Sequence, residues 1–125
     1  MGTILDKPVT EKEDTASGTC NGLAYGVSGM QGWRVDMEDS HACIEEVAED
    51  LKDHSLFAVF DGHGGSFAAK FAAEAVHGEL VKQALFVEYR GVEKGERGGE
   101  KAVEMLREAM RLAFIEVSFG RRNGG

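Results

Sequence analysis

Five apolar residues in a row, at positions 56–60 (Leu-Phe-Ala-Val-Phe), form the most hydrophobic short stretch of the chain. A run of this length with aromatic and β-branched members predicts a strand buried on both faces. The run ends at Asp61, and no Lys or Arg follows before Lys70. Because a carboxylate at the end of a buried strand loses hydration, we expect a cation or backbone donors to compensate it. Glycines around His63 would let backbone carbonyls approach a ligand there.

Two weaker patterns upstream predict two more strands. Residues 23–28 alternate, with Tyr25 and Val27 on one face, and residues 41–47 form a second short apolar segment. A polar connection at 49–53 joins this segment to the central strand, so the two are expected to be antiparallel neighbours. Residues 28–32 contain two glycines and predict a bend.

Apolar residues at helical spacing then predict two amphipathic helices. The first begins after Ser66, which is placed to cap it, and the second spans residues 100–117. Residues 88–99, rich in glycine and charge, predict a loop between them. Both apolar stripes are interpreted as core: Phe67, Phe71, Ala75 and Leu80 in the first, and Val103, Leu106, Met110, Ala113 and Val117 in the second. Two i, i+3 ion pairs are expected on the second helix: Glu104 with Arg107, and Glu108 with Arg111.

The first 22 residues are mostly polar and carry the only proline, Pro8. They are predicted to form an N-terminal arm with at most one edge strand, held by Ile4 and Leu5. Residues 23–125 would then form the folded part. Three strands and two helices place the chain in the α+β class.

The composition of the chain limits the classes of partner that we expect it to bind. With 22 acidic and 14 basic residues the net charge is −8, which argues against nucleic acid or an anionic membrane as the main partner. No apolar run approaches the roughly 20 residues of a membrane span. Cys20 and Cys43 have neither zinc nor disulfide-framework spacing, which favours a reducing, cytoplasmic or nuclear location. N-myristoylation of Gly2 stays open, because Asp6 stands where Ser or Thr is usual.

A second polar cluster, with Arg34, Asp36, Glu38 and Asp39, immediately precedes the 41–47 strand. Alone it would be interpreted as a solvated loop with local ion pairs. If the 41–47 strand is antiparallel to the central strand, however, its start lies beside the end of the central strand at Asp61. This topology brings the cluster, Asp61 and His63 to one end of the sheet.

Such a set of groups suits metal-assisted hydrolysis of a phosphate ester. Carboxylate oxygens favour Mg²⁺ or Mn²⁺ over zinc, and a carboxylate that bridges two ions can help to activate water. Arg34 can donate a bidentate pair of hydrogen bonds to phosphate oxygens. His63 can protonate a leaving alkoxide.

Several stretches resemble the first two motifs of the metal-dependent type 2C protein serine/threonine phosphatases. They are residues 32–34 (Gly-Trp-Arg), 37–41 (Met-Glu-Asp-Ser-His) and 57–65 (Phe-Ala-Val-Phe-Asp-Gly-His-Gly-Gly). Residues 1–8, 21–23 and 25–26 also resemble the start of that family's eukaryotic members. The resemblance covers most of residues 1–80.

The resemblance implies a role for each matching residue. Asp61 would bridge two Mg²⁺ or Mn²⁺ ions, the Gly62 carbonyl would bind one of them, and Glu38 and Asp39 would hold metal-bound waters. Arg34 would bind the substrate phosphate, and His63 would be the general acid. The implied substrates are phosphoserine and phosphothreonine proteins, and the implied fold is an α-β-β-α sandwich of two antiparallel sheets with outer helices.

The family's later motifs, a Gly-Asp-Ser segment and two further metal-binding aspartates, do not occur in these 125 residues. We therefore expect residues 23–125 to be the N-terminal portion of such a domain, a truncated sandwich with little activity alone. An exposed inner sheet face leaves self-association open. The alternative is a non-catalytic regulatory or substrate-binding fragment of the same family.

Overall fold

The chain folds as two β-hairpin-like sheets followed by helices, and the computed structural model describes residues 4–62 and 66–124. Within these ranges the side chains of residues 4, 14 and 119–124 are left undescribed. The predicted general acid His63, its neighbours Gly64 and Gly65, and the acylation candidate Gly2 lie outside the described residues. The elements are β1 (Ile4–Cys20), β2 (Leu23–Arg34), β3 (Ser40–Ile44), β4 (Leu56–Phe60), α1 (Phe67–Lys82), α2 (Ala84–Arg90), a 3-10 turn (Lys94–Glu96) and α3 (Glu100–Gly124).

The first sheet is the antiparallel hairpin of β1 and β2. Asn21 (φ 51°) and Gly22 (φ 77°) connect the strands, and two successive positive φ angles match the twist that a two-residue hairpin requires. The ladder runs from Cys20↔Leu23 to Ile4↔Arg34, with three register shifts. The interpretation of residues 1–22 as an arm missed most of this strand, and the bend predicted at 28–32 is wrong because β2 continues through it.

The second sheet pairs β3 with β4, antiparallel as predicted, from Ser40↔Phe60 to Ile44↔Leu56. β3 ends at Ile44 instead of residue 47, because the chain turns there to bury two apolar side chains. Val47 is 5% exposed and Leu51 is fully buried. The Val47 amide donates to the His54 carbonyl at 2.9 Å, which closes this turn.

β4 is buried on one face only, which corrects the expectation for the central strand. Leu56, Ala58 and Phe60 pack against the helical core, whereas Phe57 and Val59 are 41% and 74% exposed. The reason is that α1 covers one face of the β3–β4 sheet. Self-association through the other face stays a prediction.

The helices form the layer that covers this sheet. α1 begins after Ser66 as predicted, although Ser66 makes no side-chain capping bond, and its buried residues are Ala69, Val76 and Leu80. Phe67, assigned to the core from sequence, is 57% exposed. A hydrogen bond also joins α1 to the turn after β3: Nε2 of His77 donates to the Val47 carbonyl at 2.7 Å.

α3 presents a smaller apolar face to the core than its sequence stripe indicated. Ala102, Ala109, Ala113 and Val117 are buried, and Leu106 and Met110 pack at the margin. Val103 is 39% exposed, so its assignment to the core is wrong. Both predicted ion pairs, Glu104–Arg107 and Glu108–Arg111, are present. Among residues 4–62 and 66–124, none of the helices has both the length and the hydrophobicity of a membrane span.

α2 (Ala84–Arg90) begins before the segment 88–99 that was predicted to be a loop and covers its first three residues. Its aromatic side chains complete the core. Phe86 and Tyr89 are 1% and 3% exposed. Tyr89 shares a 2.6 Å hydrogen bond with Nε2 of His54. Arg90 donates to both carboxylate oxygens of Asp50, at 3.0 and 2.6 Å, and this lowers the pKa of Asp50. The whole arrangement is the α+β class predicted from sequence.

Polar contacts hold the β1–β2 hairpin against the second sheet. The Tyr25 hydroxyl donates to Glu45 Oε2 at 2.6 Å, and the Tyr25 ring lies 4.9 Å from that of Phe57. Nδ2 of Asn21 donates to Ser55 Oγ at 2.7 Å. The bond to Glu45 is the main cause that raises the pKa of Tyr25 to about 12.

We expect Phe86→Ala to lower the free energy of unfolding by about 3–5 kcal/mol, because it removes a buried ring and leaves a cavity. Val87→Ala, on the exposed side of the same helix at 57% exposure, should change it by less than about 0.5 kcal/mol. Urea denaturation followed by circular dichroism measures both. Equal losses would contradict the assignment of Phe86 to the buried face and of Val87 to the exposed face of α2.

The Tyr25–Glu45 bond should make stability depend on alkaline pH. The folded-state pKa of Tyr25 is about 12 against 10.0 for the unfolded residue, so its contribution is complete below pH 10 and is lost between about pH 10 and 12. Tyr25→Phe should therefore be less stable than the native chain at pH 8, and the gap should narrow at pH 11. Thermal unfolding at the two pH values tests this, and an unchanged gap would contradict it.

Candidate metal and phosphate site

The β3–β4 register brings the two acidic motifs to the same edge of the sheet. Ser40 pairs with Phe60 at the end of the ladder, so Asp39 precedes one strand where Asp61 follows the other. Sequence reasoning predicted this convergence from the antiparallel pairing alone, and the pairing is confirmed. Asp39 and Asp61 are both exposed at this edge.

Gly62 extends the contact by one more residue. It is buried, and a Cβ atom there would collide with the Glu38 carbonyl oxygen and lie 3.0 Å from both the carbonyl carbon and the Cβ of Glu38. Only glycine lets the two backbones approach so closely. The backbone contact sets half-buried Glu38 beside the Asp61–Gly62 segment.

These residues suit a hard divalent cation by their chemistry. Glu38, Asp39 and Asp61 supply carboxylate oxygens, and the turn at Gly62 supplies carbonyl oxygens, which are the ligands that Mg²⁺ and Mn²⁺ prefer. Within residues 4–62 and 66–124, no three His, Cys, Asp or Glu side chains are grouped closely enough to hold a metal. The close contact between Gly62 and Glu38 is the observation on which the fit depends.

Arg34 lies at the last position of β2, five residues before Asp39 in the chain. Nε2 of Gln31 donates to the Arg34 and Val35 carbonyls, both at 2.7 Å, and so holds the backbone where the strand ends. The Arg34 side chain is exposed, and no described contact joins it to Asp61. The structure therefore brings residues 38–39 and 61–62 to one edge of the sheet through their backbones, and it places Arg34 at the end of β2.

The β1–β2 hairpin borders this edge through a groove of about 330 Å³ next to Asp39. Glu13, Val27 and Met30 of the hairpin line it together with His41 of β3. Sequence reasoning missed the contribution of Glu13 because it treated residues 1–22 as an arm. The Asn21-Gly22 dipeptide was the available signal, since this pair favours a two-residue hairpin turn.

Comparison with known proteins finds a match to the protein phosphatase 2C family model over residues 23–119. The chain is 39% identical over 123 residues to Protein phosphatase 1B of Rattus norvegicus, which is 98% of this chain and 30% of that protein. It is 41% identical over 117 residues to Protein phosphatase 1A of Homo sapiens, covering 94% and 28%. The chain thus spans less than a third of the length of these relatives.

We expect Gly62→Ala to destabilise the fold by roughly 1–3 kcal/mol, because the added methyl group overlaps the Glu38 backbone. Gly78→Ala is the matched control: it lies inside α1 with nothing within 4 Å of its Cβ position, and should stabilise by about 0.5–1 kcal/mol. Thermal unfolding of the two variants gives the comparison. A neutral Gly62→Ala would mean that residues 38 and 62 are not in close contact.

Proposed function

The chain belongs to the protein phosphatase 2C family, and from this premise we propose that it supplies part of the catalytic centre of a metal-dependent protein serine/threonine phosphatase. The observation that carries the proposal is the contact between Gly62 and the Glu38 backbone at the end of the β3–β4 ladder. This backbone contact supports the proposal, because it joins the two sequence motifs at one edge of the sheet.

In this proposal the carboxylates would hold two Mg²⁺ or Mn²⁺ ions. Asp61 and the Gly62 carbonyl would be direct ligands, and Glu38 and Asp39 would hold the ions through water molecules. The bound cations would supply an activated water for attack on phosphorus. The β3–β4 backbone register supports this proposal, because it puts residues 39 and 61 at the same edge of the sheet.

Two further residues would act on the substrate. Arg34, at the end of β2, would donate two hydrogen bonds to phosphate oxygens and fix the orientation of the phosphoryl group. His63 would donate a proton to the serine or threonine oxygen as the P–O bond breaks. The exposure of the Arg34 side chain supports the first role, because the guanidinium is open to a substrate.

The proposed substrates are phosphoserine and phosphothreonine proteins of the cytoplasm or nucleus. The 125 residues by themselves should hydrolyse phosphoprotein substrates slowly. The chain spans 25–30% of the length of its relatives, and the later aspartate motifs do not occur in it. Metal binding therefore tests the proposed site on this chain more directly than phosphatase activity does.

We expect Asp61→Asn to weaken Mn²⁺ binding at least about tenfold in isothermal titration calorimetry, because it removes the charge that faces the ions. Glu49→Gln, which removes one exposed negative charge from the turn after β3, should leave Mn²⁺ binding unchanged. Hydrolysis of para-nitrophenyl phosphate, measured on the same samples, reports turnover separately.

Equal affinities for the native chain and Asp61→Asn would remove Asp61 from the metal site. Robust hydrolysis by the 125 residues would contradict the expectation of slow turnover while leaving the metal site intact. Mn²⁺ binding without any turnover, together with tight binding of phosphopeptides, would favour the non-catalytic alternative.

A further inference from the structure

An apolar groove runs between α2 and the first half of α3, on residues that the candidate site does not use. It consists of two open depressions of about 790 and 430 Å³ that share the side chains of Lys101 and Met105. Leu85 lines the first depression, and Val92 and Ala102 line the second. Leu85, Val92 and Met105 pack against the core from its margin, so the floor of the groove is the outer surface of the core.

Glutamates dominate the rim of this groove. Glu100, Glu104 and Glu108 recur at every fourth position of α3 along one depression, and Glu88, Glu93 and Glu96 border the other. Lys101 is the one basic residue among the lining residues described for these two depressions. The groove therefore combines an apolar floor with a strongly negative rim.

Most of the rim charge is not neutralised within the chain. Glu104 and Glu108 form surface ion pairs with Arg107 and Arg111. Among the described residues, the other four rim glutamates form no ion pair with a basic side chain. Exposed i, i+3 pairs are worth only a few tenths of a kcal/mol, so even the paired carboxylates can exchange partners at low cost.

We propose that the groove between α2 and α3 binds a cationic amphipathic helix of a partner protein. Leucine-like side chains on one face of that helix would occupy the floor over Leu85 and Met105, and flanking Lys or Arg would meet the glutamates. The negative charge of the rim favours a cationic helix over the other possible occupants. Nucleic acid and anionic membrane are repelled by the rim, and a second copy of the chain carries the same net charge of −8.

Fluorescence anisotropy with a labelled peptide tests the proposal on the 125-residue chain. The probe is a helix of about 18 residues with leucines on one face and lysines on the other. Glu93→Lys combined with Glu96→Lys reverses two rim charges that form no ion pair, and should weaken binding at least about tenfold. Asp6→Lys combined with Glu11→Lys, at exposed positions of β1, changes the net charge by the same amount and should leave the affinity within about twofold.

A second peptide separates the apolar floor from bulk charge. In it every leucine is replaced by serine, which keeps all lysines, and we expect it to bind at least about tenfold more weakly than the probe. Equal weakening by the two charge-reversed pairs would overturn the proposal, since it would show attraction to overall charge. Equal binding of the two peptides, or no binding of the leucine probe, would overturn it as well. Circular dichroism confirms that each variant is folded.

Discussion

The antiparallel pairing of β3 with β4 is the constraint on which the rest of the structure depends. Its register ends at Ser40↔Phe60, and the close approach of Gly62 to Glu38 continues the contact beyond the last ladder pair. A slip of one residue would turn Leu56, Ala58 and Phe60 away from the helices and would also separate the two acidic motifs. Core packing and the candidate site are therefore specified by the same set of backbone bonds.

The helical layer makes that register costly to change. α1 packs across both strands, and α2 and α3 complete the core around Phe86 and Val76. The turn at residues 47–54 is held from two sides, because His77 of α1 binds the Val47 carbonyl and Tyr89 of α2 binds His54. The candidate site consequently lies at the edge of a sheet that the helices hold in place, and the Asp39 and Asp61 side chains there are exposed.

The acidic composition of the chain has two separate consequences. At the strand ends, Asp39 and Asp61 are exposed carboxylates, and the proposed function gives them cations as partners. Along α2 and α3, the glutamates surround apolar surface, and the proposed partner there is a cationic helix. Net charge alone could not distinguish these uses, since a solvated acidic surface gives the same total. The distinction follows from which acids lie at the β3–β4 strand ends and which lie beside Leu85 and Met105.

Hydrophobic periodicity and motif spacing by themselves determined the α+β class, the antiparallel β3–β4 pairing and the beginnings of α1 and α3. They also determined that Asp39 and Asp61 flank paired strand ends, because each of these features follows from local pattern and short connections. Tertiary structure decided which apolar residues are core. Val59, Phe67 and Val103 match a buried pattern yet are exposed, since burial depends on which face a neighbouring element covers. It also decided the length of β1, whose polar side chains give little periodic signal and whose backbone is satisfied only by pairing with β2.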